Sequence, residues 1–489
     1  MEQYLFFLTI LFPILGACLI PFLPYRRRTD MLIYLEFLCL VTSALVLTLL
    51  YLSPQGTYTL FRFNSRLSVS FHLDAMGKLF GAMVAFLWPL AVLYSFEYMK
   101  HESNEKSFFL FYIVTYGVTL GIAFSENIVT LYFFFEVLSL VTLPLVMHTR
   151  TREAILASRT YLYYMIGGAA FAFIGMVFVL TYGTTASFLP GGVMDLAKIG
   201  NRTNVIYLVY ILSFFGFGIK TAVWPFSNWL PKAGVAPTPV TALLHAVAVV
   251  NTGAFAVMRI TYYSFGADYL RGSFAQYTVM GFVLFTIVYG CSRALKETHL
   301  KRRLAWSTVS NLSYILFGVV LMTPLGLTGA LCHMLFHSFM KITSFFCAGS
   351  VIYKTGKNYI HELDGLGRRM PKIFILFAIS AFALMGVPGL AGFVSKWSLA
   401  YAAIDSREPL AYIGVGCLLV SALLTAIYMV TILVRAFFPG KDFAYSSLQD
   451  ITDPNWYMLL PLFVFAAVVI FFGIHPAPVL ELLASISGV

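Results

Sequence analysis

The chain has 489 residues, of which 60% are hydrophobic and only 11% are charged. Soluble domains carry about 25% charged residues, so this chain has too little charge to cover a water-facing surface of its size. The formal net charge is +11. The basic residues lie in short stretches between apolar segments, which is typical of membrane topology determinants. We therefore expect an all-α membrane protein with the lipid bilayer, and no nucleic acid, as its partner.

Long apolar segments divide the sequence into fourteen predicted membrane helices. Segments such as Tyr4–Leu23 and Met31–Leu52 reach the length of about 20 residues that crosses a bilayer. The first is expected to be a retained helix, because Arg26–Arg28 follow its apolar run instead of preceding it. No connection is long enough to divide the chain, so residues 1–489 are interpreted as one polytopic membrane domain. The predicted helices begin near Tyr4, Met31, Met76, Ser107, Ile128, Tyr161, Val205, Val240, Tyr277, Leu304, Gly329, Lys372, Ala411 and Trp456.

The basic residues predict an orientation for these helices. Of the 32 Lys and Arg residues, 21 follow odd-numbered helices, seven follow even-numbered helices and four lie within helices. Short cytoplasmic loops are enriched in Lys and Arg. The bias predicts a multi-pass protein of the cell (inner) membrane with both termini on the outer face. Loop residues in this count include Arg66, Arg259, Lys301 and Lys441.

Two predicted helices contain a proline in their interior. Pro225 interrupts the seventh helix, in GFGIKTAVWPFSNWLP, and Pro388 interrupts the twelfth, in ALMGVPGLAGFVSKWSL. Proline removes a backbone donor, and the freed carbonyl groups need protein or water partners inside a bilayer. A lysine lies close to each break: Lys220 before the first and Lys396 after the second. Broken helices five positions apart indicate an internal repeat of helices 4–8 (107–262) and 9–13 (277–437).

Glu136 lies in the middle of the fifth predicted helix, with long apolar runs on either side. Its carboxylate cannot reach water by extending along the helix, so it is either protonated or paired with a cation. Lys220 is a candidate partner, because a buried lysine can change between charged and neutral forms. A Glu136–Lys220 pair would then act as a proton switch. The alternative is an ion pair that only holds two helices together.

A second group of titratable residues lies in ALCHMLFHSFMKITSFF. His333, His337 and Lys341 are spaced four residues apart and occupy one helix face over about 12 Å. Such a stripe suits proton hopping near neutral pH; zinc binding by the two histidines is the alternative. His245 is either a further relay group or a hydrogen-bonded core histidine. Lys396 either faces a water-filled cavity or extends to the membrane interface.

At these residues the chain resembles a known family. It is similar to the proton-pumping antiporter-like subunits of respiratory complex I, of Mrp-type sodium/proton antiporters and of membrane-bound hydrogenases. The motifs that carry the resemblance are LDAMGKLFGAMV, SENIVTLYFFFEVLSL, FGIKTAVWPFSNWLPKAGVAPTPVTALLHA, LKRRLAWSTVSNLSYILFGV, CHMLFHSFMKITSFFCAGSVIY and GVPGLAGFVSKW.

The resemblance implies fourteen helices with two inverted five-helix repeats, each containing a broken helix. It also implies relay roles: an essential glutamate in the fifth helix, a central lysine in the broken seventh, a relay residue in the eighth, three in the eleventh and an exit lysine in the twelfth. These positions are occupied here by Glu136, Lys220, His245, His333, His337, Lys341 and Lys396. The chain departs from the family pattern at Lys232 and His299, which replace acidic residues.

We therefore expect a proton- or sodium-translocating subunit of a multi-subunit membrane complex, redox-driven and of the complex I or membrane-bound hydrogenase type. Its partners would be other membrane subunits, including homologous antiporter-like ones. The sequence has no flavin, haem, iron–sulfur or dinucleotide motif and no CxxC pair. We accordingly expect no cofactor, metal or catalytic redox site in this chain. The alternatives are a subunit of an Mrp-type sodium/proton antiporter and a non-conducting structural subunit.

Overall fold

The computed structural model describes residues 2–64, 67–440, 443 and 445–488. Arg66 and Lys441, two of the basic residues counted in predicted loops, lie outside the described residues. Within the described part, the regular structure is helical apart from one antiparallel two-stranded sheet, β1 (Tyr58–Arg62) and β2 (Ser68–Phe71). Eleven helices of that part are long and apolar enough to cross a membrane. The prediction of an all-α, multi-pass membrane protein is confirmed.

The main helices are numbered here in chain order. They are α1 (Glu2–Leu19), α2 (Arg28–Leu52), α3 (Ala75–Tyr98), α4 (Glu105–Ala123), α5 (Ile128–Val146), α6 (Arg152–Tyr182), α7 (Thr203–Gly218), α8 (Thr238–Ala246), α9 (Val249–Met258), α10 (Phe274–Lys296), α11 (Leu300–Val320), α12 (Pro324–Thr355), α13 (Pro371–Met385), α14 (Ala391–Asp405), α15 (Pro409–Phe437), α16 (Trp456–Ile474) and α17 (Ala477–Ser487). Short 3₁₀ turns, four- or five-residue helices and a π-helical segment, Arg259–Phe265, connect some of them.

The chain forms two compact units. The first consists of Met1–Val92, Glu102–Thr221 and Val247–Val279, and the second of Leu93–His101, Ala222–Ala246 and Met280–Val489. The division falls inside α3, inside α10 and next to Thr221. Residues 107–262, the first predicted repeat, therefore contribute to both units.

In the first unit, small residues allow α6 and α7 to pack closely. A side chain at Gly168 of α6 would meet the side chain of Ile219 and, at 3.0 Å, the carbonyl oxygen of Gly216. A side chain at Gly216 would in turn meet the backbone of Ala172. Glycine at such contacts lets membrane helices approach at backbone distance. This packing fixes the end of α7 and the 3₁₀ turn that follows it.

In the second unit, α12 is the central helix and packs against α8, α11, α13, α14, α16 and α17. It begins at Pro324, five residues before the predicted start at Gly329. Thr323 explains the difference, because its hydroxyl accepts a hydrogen bond from the Gly326 amide and proline is well tolerated in the first turn. In the first unit, α6 likewise begins at Arg152 and not at Tyr161, since Thr151 caps it.

The chain leaves helical geometry near both prolines singled out in the sequence. The first interruption runs from the 3₁₀ turn Ile219–Thr221 to the next turn at Phe226, and Pro225 lies in it. The second separates α13 from α14 and contains Pro388. Gly386 and Gly389 flank that proline with φ values of 94° and 86°. Glycine adopts these positive angles without the steric strain that other residues meet.

Candidate ion-translocation sites

Lys220 lies in the 3₁₀ turn after α7 and is 1% exposed. Its Nζ donates a hydrogen bond of 2.5 Å to the carbonyl oxygen of Phe135 on α5. The same ammonium lies 3.7 Å from the centroid of the Phe135 ring. A carbonyl dipole and an aromatic face both stabilise a cation, and neither neutralises its charge.

Glu136 follows Phe135 on α5 and is half-buried. Its carboxylate interacts electrostatically with Lys220. Within the described residues, however, no Glu136 oxygen lies within 4.0 Å of the lysine nitrogen. Glu136 Oε1 is buried and has no hydrogen-bond partner there. The structure thus brings the predicted pair together, but the lysine binds a main-chain carbonyl and leaves the carboxylate free.

The stripe on α12 lies in the second unit. His333, His337 and Lys341 are all fully buried. His333 Nδ1 forms a 2.9 Å hydrogen bond with the hydroxyl of Ser395, and Lys341 Nζ donates to the hydroxyl of Ser307 at 2.6 Å. Among the described residues, His333 Nε2 and both ring nitrogens of His337 have no partner. The two imidazole centroids are 6.3 Å apart.

His245 of α8 joins this group. Its ring centroid lies 4.8 Å from that of Phe345, one helical turn beyond Lys341 on α12. The imidazole interacts electrostatically with Lys341 and Lys301. Neither of its ring nitrogens has a hydrogen-bond partner in the described part of the chain. His245, His333 and His337 thus each carry a buried ring nitrogen that no protein group binds within the described residues.

Lys396 lies on α14, after the second interruption. Its Nζ donates to the carbonyl oxygens of Leu384 and Met385, at 2.6 and 3.0 Å. These carbonyls belong to the last turn of α13, where backbone acceptors lack intrahelical partners and the helix dipole is negative. Lys396 Nζ also lies 5.1 Å from the ring centroid of Tyr314 on α11. Lys396 therefore caps the C-terminal end of α13 and lies close to Tyr314 of α11.

A zinc site at the two histidines would need further ligands. Among the described residues, no group of three or more His, Cys, Asp or Glu side chains is placed to hold a metal ion. His333 and His337 are surrounded by hydroxyl and lysine side chains, which suit proton exchange better than coordination of a divalent cation.

An ion pair between Asp74 and Arg259 was not recognised in the sequence. Both guanidinium Nη atoms donate to the Asp74 carboxylate, at 2.5 and 2.6 Å, and Arg259 is 1% exposed. The interpretation of Arg259 as a loop residue is wrong, because the chain continues from α9 as the π-helical segment Arg259–Phe265. The available signal was Asp74 itself, an acidic residue directly before an apolar helix.

Lys301 was also interpreted as a loop residue, and this too is wrong. It lies in the first turn of α11, is buried, and donates to the carbonyl oxygen of Ala236 at 2.9 Å. The hydroxyl partners of the stripe, Ser307 and Ser395, were not singled out either. Serine is common within apolar helices. Only the helical spacing of Ser307 and Ser395 relative to other polar residues could have indicated that they are hydrogen-bond partners.

The fold and these sites define a class: a multi-pass helical membrane protein whose two units each enclose lysines and other titratable side chains. A family profile described as "NADH:quinone oxidoreductase/Mrp antiporter, TM" matches residues 125–434, more than half of the chain. The chain belongs to this NADH:quinone oxidoreductase/Mrp antiporter family of transmembrane proteins. The resemblance drawn from the sequence motifs is confirmed.

Among curated proteins, the chain is 28% identical over 497 residues to the Na⁺/H⁺ antiporter subunit A1 of Staphylococcus aureus. The alignment covers 96% of this chain and 61% of that protein, so the chain spans less than two thirds of the relative's length.

Three solved structures share the fold. A chain of the Mrp complex from Dietzia sp. DQ12-45-1b superposes with a TM-score of 0.84 at 22% identity, covering 100% of this chain and 97% of that one. A chain of the membrane-bound sulfane sulfur reductase, an archaeal respiratory membrane complex, gives 0.85 at 22% identity, covering 99% and 97%. A chain of respiratory complex I from Thermus thermophilus gives 0.81 at 20% identity, covering 100% and 98%.

Proposed function

We propose that this chain is an antiporter-like, ion-translocating subunit of a multi-subunit membrane complex, with the proton as the first candidate ion and sodium as the second. The observation that carries the proposal is the arrangement of Lys220 and Glu136. A fully buried ammonium is held by a carbonyl and an aromatic ring, while a carboxylate close by has a buried oxygen without a partner.

An ionised group at the centre of a bilayer costs about 2.5–3.5 kcal/mol on the insertion scale. An ion pair that only joined two helices would recover most of this cost through direct contact between the charges. Lys220 instead donates to Phe135 O, so Glu136 remains able to receive a cation. Binding of a proton to Glu136 would remove an opposite charge near Lys220, which would then release its own proton more readily. The pair would thereby act as a switch.

Within the second unit, the stripe would form a set of groups along which a proton moves. A neutral imidazole has one donor and one acceptor nitrogen, so it can take up a proton on one side and release one on the other. His245, His333 and His337 each present at least one nitrogen that has no partner within the described structure. Because the rings of His333 and His337 are 6.3 Å apart, transfer between them requires a bridging water or a side-chain rotation.

The proposal includes fourteen transmembrane helices and two inverted repeats, residues 107–262 and 277–437. Beyond the eleven long apolar helices, three further crossings would complete the count: α1, α11, and α13 together with α14. α11 has 21 residues, enough to span a bilayer, and is less apolar because it is buried within the second unit. Both termini would lie on the outer face of the cell membrane, as the distribution of basic residues predicts.

Two kinds of complex could drive the ion movement. The first is a redox-driven complex of the complex I or hydrogenase type, in which partner subunits carry the electrons. The second is an Mrp-type sodium/proton antiporter, which is supported by the relative named as a Na⁺/H⁺ antiporter subunit. In both, the partners would be other membrane subunits, including homologous antiporter-like ones.

Transport by the purified complex, reconstituted in sealed vesicles, tests the proposal. We expect Lys220→Ala and Glu136→Ala to reduce ion transport to the background rate while the complex still assembles. Lys100→Ala is the matched control, because this lysine lies at the surface with its side chain 55% exposed. Transport at the wild-type rate by either relay variant would refute the assignment. Ion transport that requires an electron donor would indicate the redox-driven complex. Ion transport driven by an imposed sodium gradient alone would indicate the antiporter.

A further inference from the structure

A chain of hydroxyl and thiol groups runs through the second unit between α10, α11 and α15. Three of its members lie on one face of α11 and three on one face of α15, at helical spacings of three and four residues. All are at most 1% exposed. The members are Cys291, Ser307, Ser310, Tyr314, Ser421, Thr425 and Tyr428.

One end of this hydroxyl chain is Lys341 of the stripe on α12. Lys341 Nζ donates to the hydroxyl of Ser307 at 2.6 Å. The hydroxyl of Ser307 interacts with that of Tyr428 without a direct hydrogen bond in the described structure, so a bridging water or a small rotation would close this step. Tyr428 in turn donates to Thr425 Oγ1 at 3.1 Å. The first half of the chain thus crosses from α12 through α11 to α15.

Cys291 of α10 joins the two halves. Its Sγ lies 3.6 Å from Thr425 Oγ1 and 2.9 Å from Ser421 Oγ. Tyr314 donates to the hydroxyl of Ser421 at 2.7 Å. Ser310 supports this junction, because its Oγ lies 3.1 Å from both Cys291 Sγ and Ser421 Oγ.

The other end of the hydroxyl chain lies beside the stripe of His333, His337 and Lys341. The ring centroid of Tyr314 lies 5.2 Å from that of His333 and 5.1 Å from Lys396 Nζ. His333 Nε2 has no hydrogen-bond partner among the described residues. The hydroxyl groups therefore connect Lys341 with the surroundings of His333 and Lys396 by a route that does not pass through His337.

We propose that this hydroxyl chain is a proton wire parallel to the histidine stripe, and that the ion carried in the second unit is accordingly the proton. This inference specifies the ion moved by the second unit and rests on the proposed function. In one passage, an N–H bond of the Lys341 ammonium breaks and an N–H bond forms at His333 Nε2, which the Tyr314 hydroxyl reaches through a bridging water or a side-chain rotation, because no hydrogen bond joins the two groups in the described structure. Each hydroxyl or thiol between them accepts one proton and gives up another, so the wire ends with the same number of protons and with its hydrogen bonds reoriented.

The hydrogen-bond directions show what the wire must do between passages. Lys341 and Tyr428 donate towards the middle from one end, and Tyr314 donates towards it from the other. Thr425 donates to the carbonyl oxygen of Ser421 at 2.7 Å. Conduction towards His333 requires the Thr425 hydrogen to turn to Cys291, the Cys291 thiol hydrogen to turn from Ser310 to Ser421, and the Ser421 and Tyr314 hydrogens to reverse. Hydroxyl hydrogens rotate readily, so such turning is feasible and would gate the wire.

Sodium cannot follow this route. Neighbouring oxygens such as those of Tyr314 and Ser421 are in direct hydrogen-bond contact, which leaves no space for an ion between them. A proton needs no such space, because only its bonds are exchanged. The competing explanation is that these groups only join helices, since polar contacts between membrane helices contribute about 0.6–2 kcal/mol.

The test compares proton transport per assembled complex in vesicles with thermal stability. Tyr314→Phe keeps the ring and removes the hydroxyl; Thr425→Val keeps the shape and removes the hydroxyl, whereas Thr425→Ser keeps it. We expect Tyr314→Phe and Thr425→Val to slow proton transport about ten-fold or more, and Thr425→Ser to retain most of it. Ser313→Ala is the matched control, because Ser313 is buried on the same helix and donates only within it, to Val309 O at 3.0 Å.

Normal transport rates per assembled complex in Tyr314→Phe and Thr425→Val, whether or not the melting temperature falls, would overturn the wire. If one of the two variants does not assemble, the rate of the other decides. Lys341→Ala distinguishes failure of the wire from failure of the proposed function of the second unit. If it abolishes transport while the hydroxyl variants do not, only the wire fails; if it too transports normally, the proposed function of the second unit fails with it.

Discussion

Several buried or half-buried lysines of the membrane helices share one kind of partner, a main-chain carbonyl. Lys220 donates to Phe135, Lys301 to Ala236, and Lys396 to Leu384 and Met385. A carbonyl dipole stabilises an ammonium but carries no net charge. When such a lysine loses its proton, no carboxylate loses a direct hydrogen bond, and in the proposed switch Glu136 is already protonated when Lys220 releases its proton. This chemistry suits a lysine that changes its protonation state, and it differs from that of a permanent ion pair.

Asp74 and Arg259 form such a permanent pair, and its removal should affect stability. Asp74→Asn would leave the buried guanidinium without its counter-charge, and we expect it to lower the free energy of unfolding by about 3–5 kcal/mol. Arg259→Lys should also destabilise the protein, because an ammonium cannot form the two parallel hydrogen bonds. Thermal unfolding in detergent measures both effects. The double variant Asp74→Asn/Arg259→Gln should recover part of the loss; equal stability of Asp74→Asn and wild type would contradict this role.

The sequence identified most of the titratable groups, because a charge within an apolar helix is conspicuous and costly. It did not identify the Arg259 pairing, since a π-helical continuation has no sequence signal of its own. It also missed the hydroxyl chain, whose members are common in membrane helices and acquire meaning only when α10, α11 and α15 are seen together. Whether Glu136 contacts Lys220 directly could not be read from spacing, because it depends on the side-chain conformation of Lys220.

At the scale of elements, the contact of α6 with α7 sets the position of Lys220. Gly168→Ala would place a methyl group against Ile219 and the Gly216 carbonyl. We expect a loss of about 1–3 kcal/mol from this overpacking, together with slower transport, because Ile219 shares the 3₁₀ turn with Lys220. Gly167→Ala is a neighbouring control with open space around it. Melting temperature and vesicle transport measure the two effects, and equal behaviour of the two variants would show that this contact is unimportant.

The second interruption offers a similar comparison. Gly386 and Gly389 both have positive φ, so alanine at either position is strained. A side chain at Gly386 would also lie 3.0 Å from Lys396 Cδ, whereas one at Gly389 would meet nothing within 4 Å. We expect both alanine variants to destabilise the protein by about 1–2 kcal/mol, but only Gly386→Ala to slow transport. Unchanged transport by Gly386→Ala would indicate that the exact position of Lys396 is not critical.

Prolines and hydropathy were sufficient to locate the interruptions, because proline restricts the backbone whatever its surroundings. Helix starts were less predictable. The starts of α6 and α12 depend on Thr151 and Thr323, whose capping hydrogen bonds extend the helices beyond their apolar cores.

At the scale of the whole molecule, the motifs were specific enough to predict the family and the multi-pass helical fold. The division into two units was not predicted, because it falls inside α3 and α10 and so leaves no linker or change of composition to detect.

The orientation predicted from the basic residues can be tested with protease-sensitive tags. A tag inserted beside Gly356 should be protected in right-side-out vesicles, and one inserted beside Arg407 should be cleaved, because the first loop is expected in the cytoplasm and the second outside. Inside-out vesicles should give the reverse pattern and serve as the control. Cleavage of the Gly356 tag alone in right-side-out vesicles would invert the topology.

The main-chain acceptors of the lysines have a genetic consequence. A carbonyl is present whatever residue occupies its position, so no point mutation at Ala236 or Leu384 deletes the group that receives the hydrogen bond. In each contact the lysine is the only partner that a single codon change can remove. A saturation mutagenesis screen for function should therefore show intolerance at Lys220 and Lys396, while Leu384 accepts a range of side chains of similar size. The acceptor half of the site would remain invisible to such a screen.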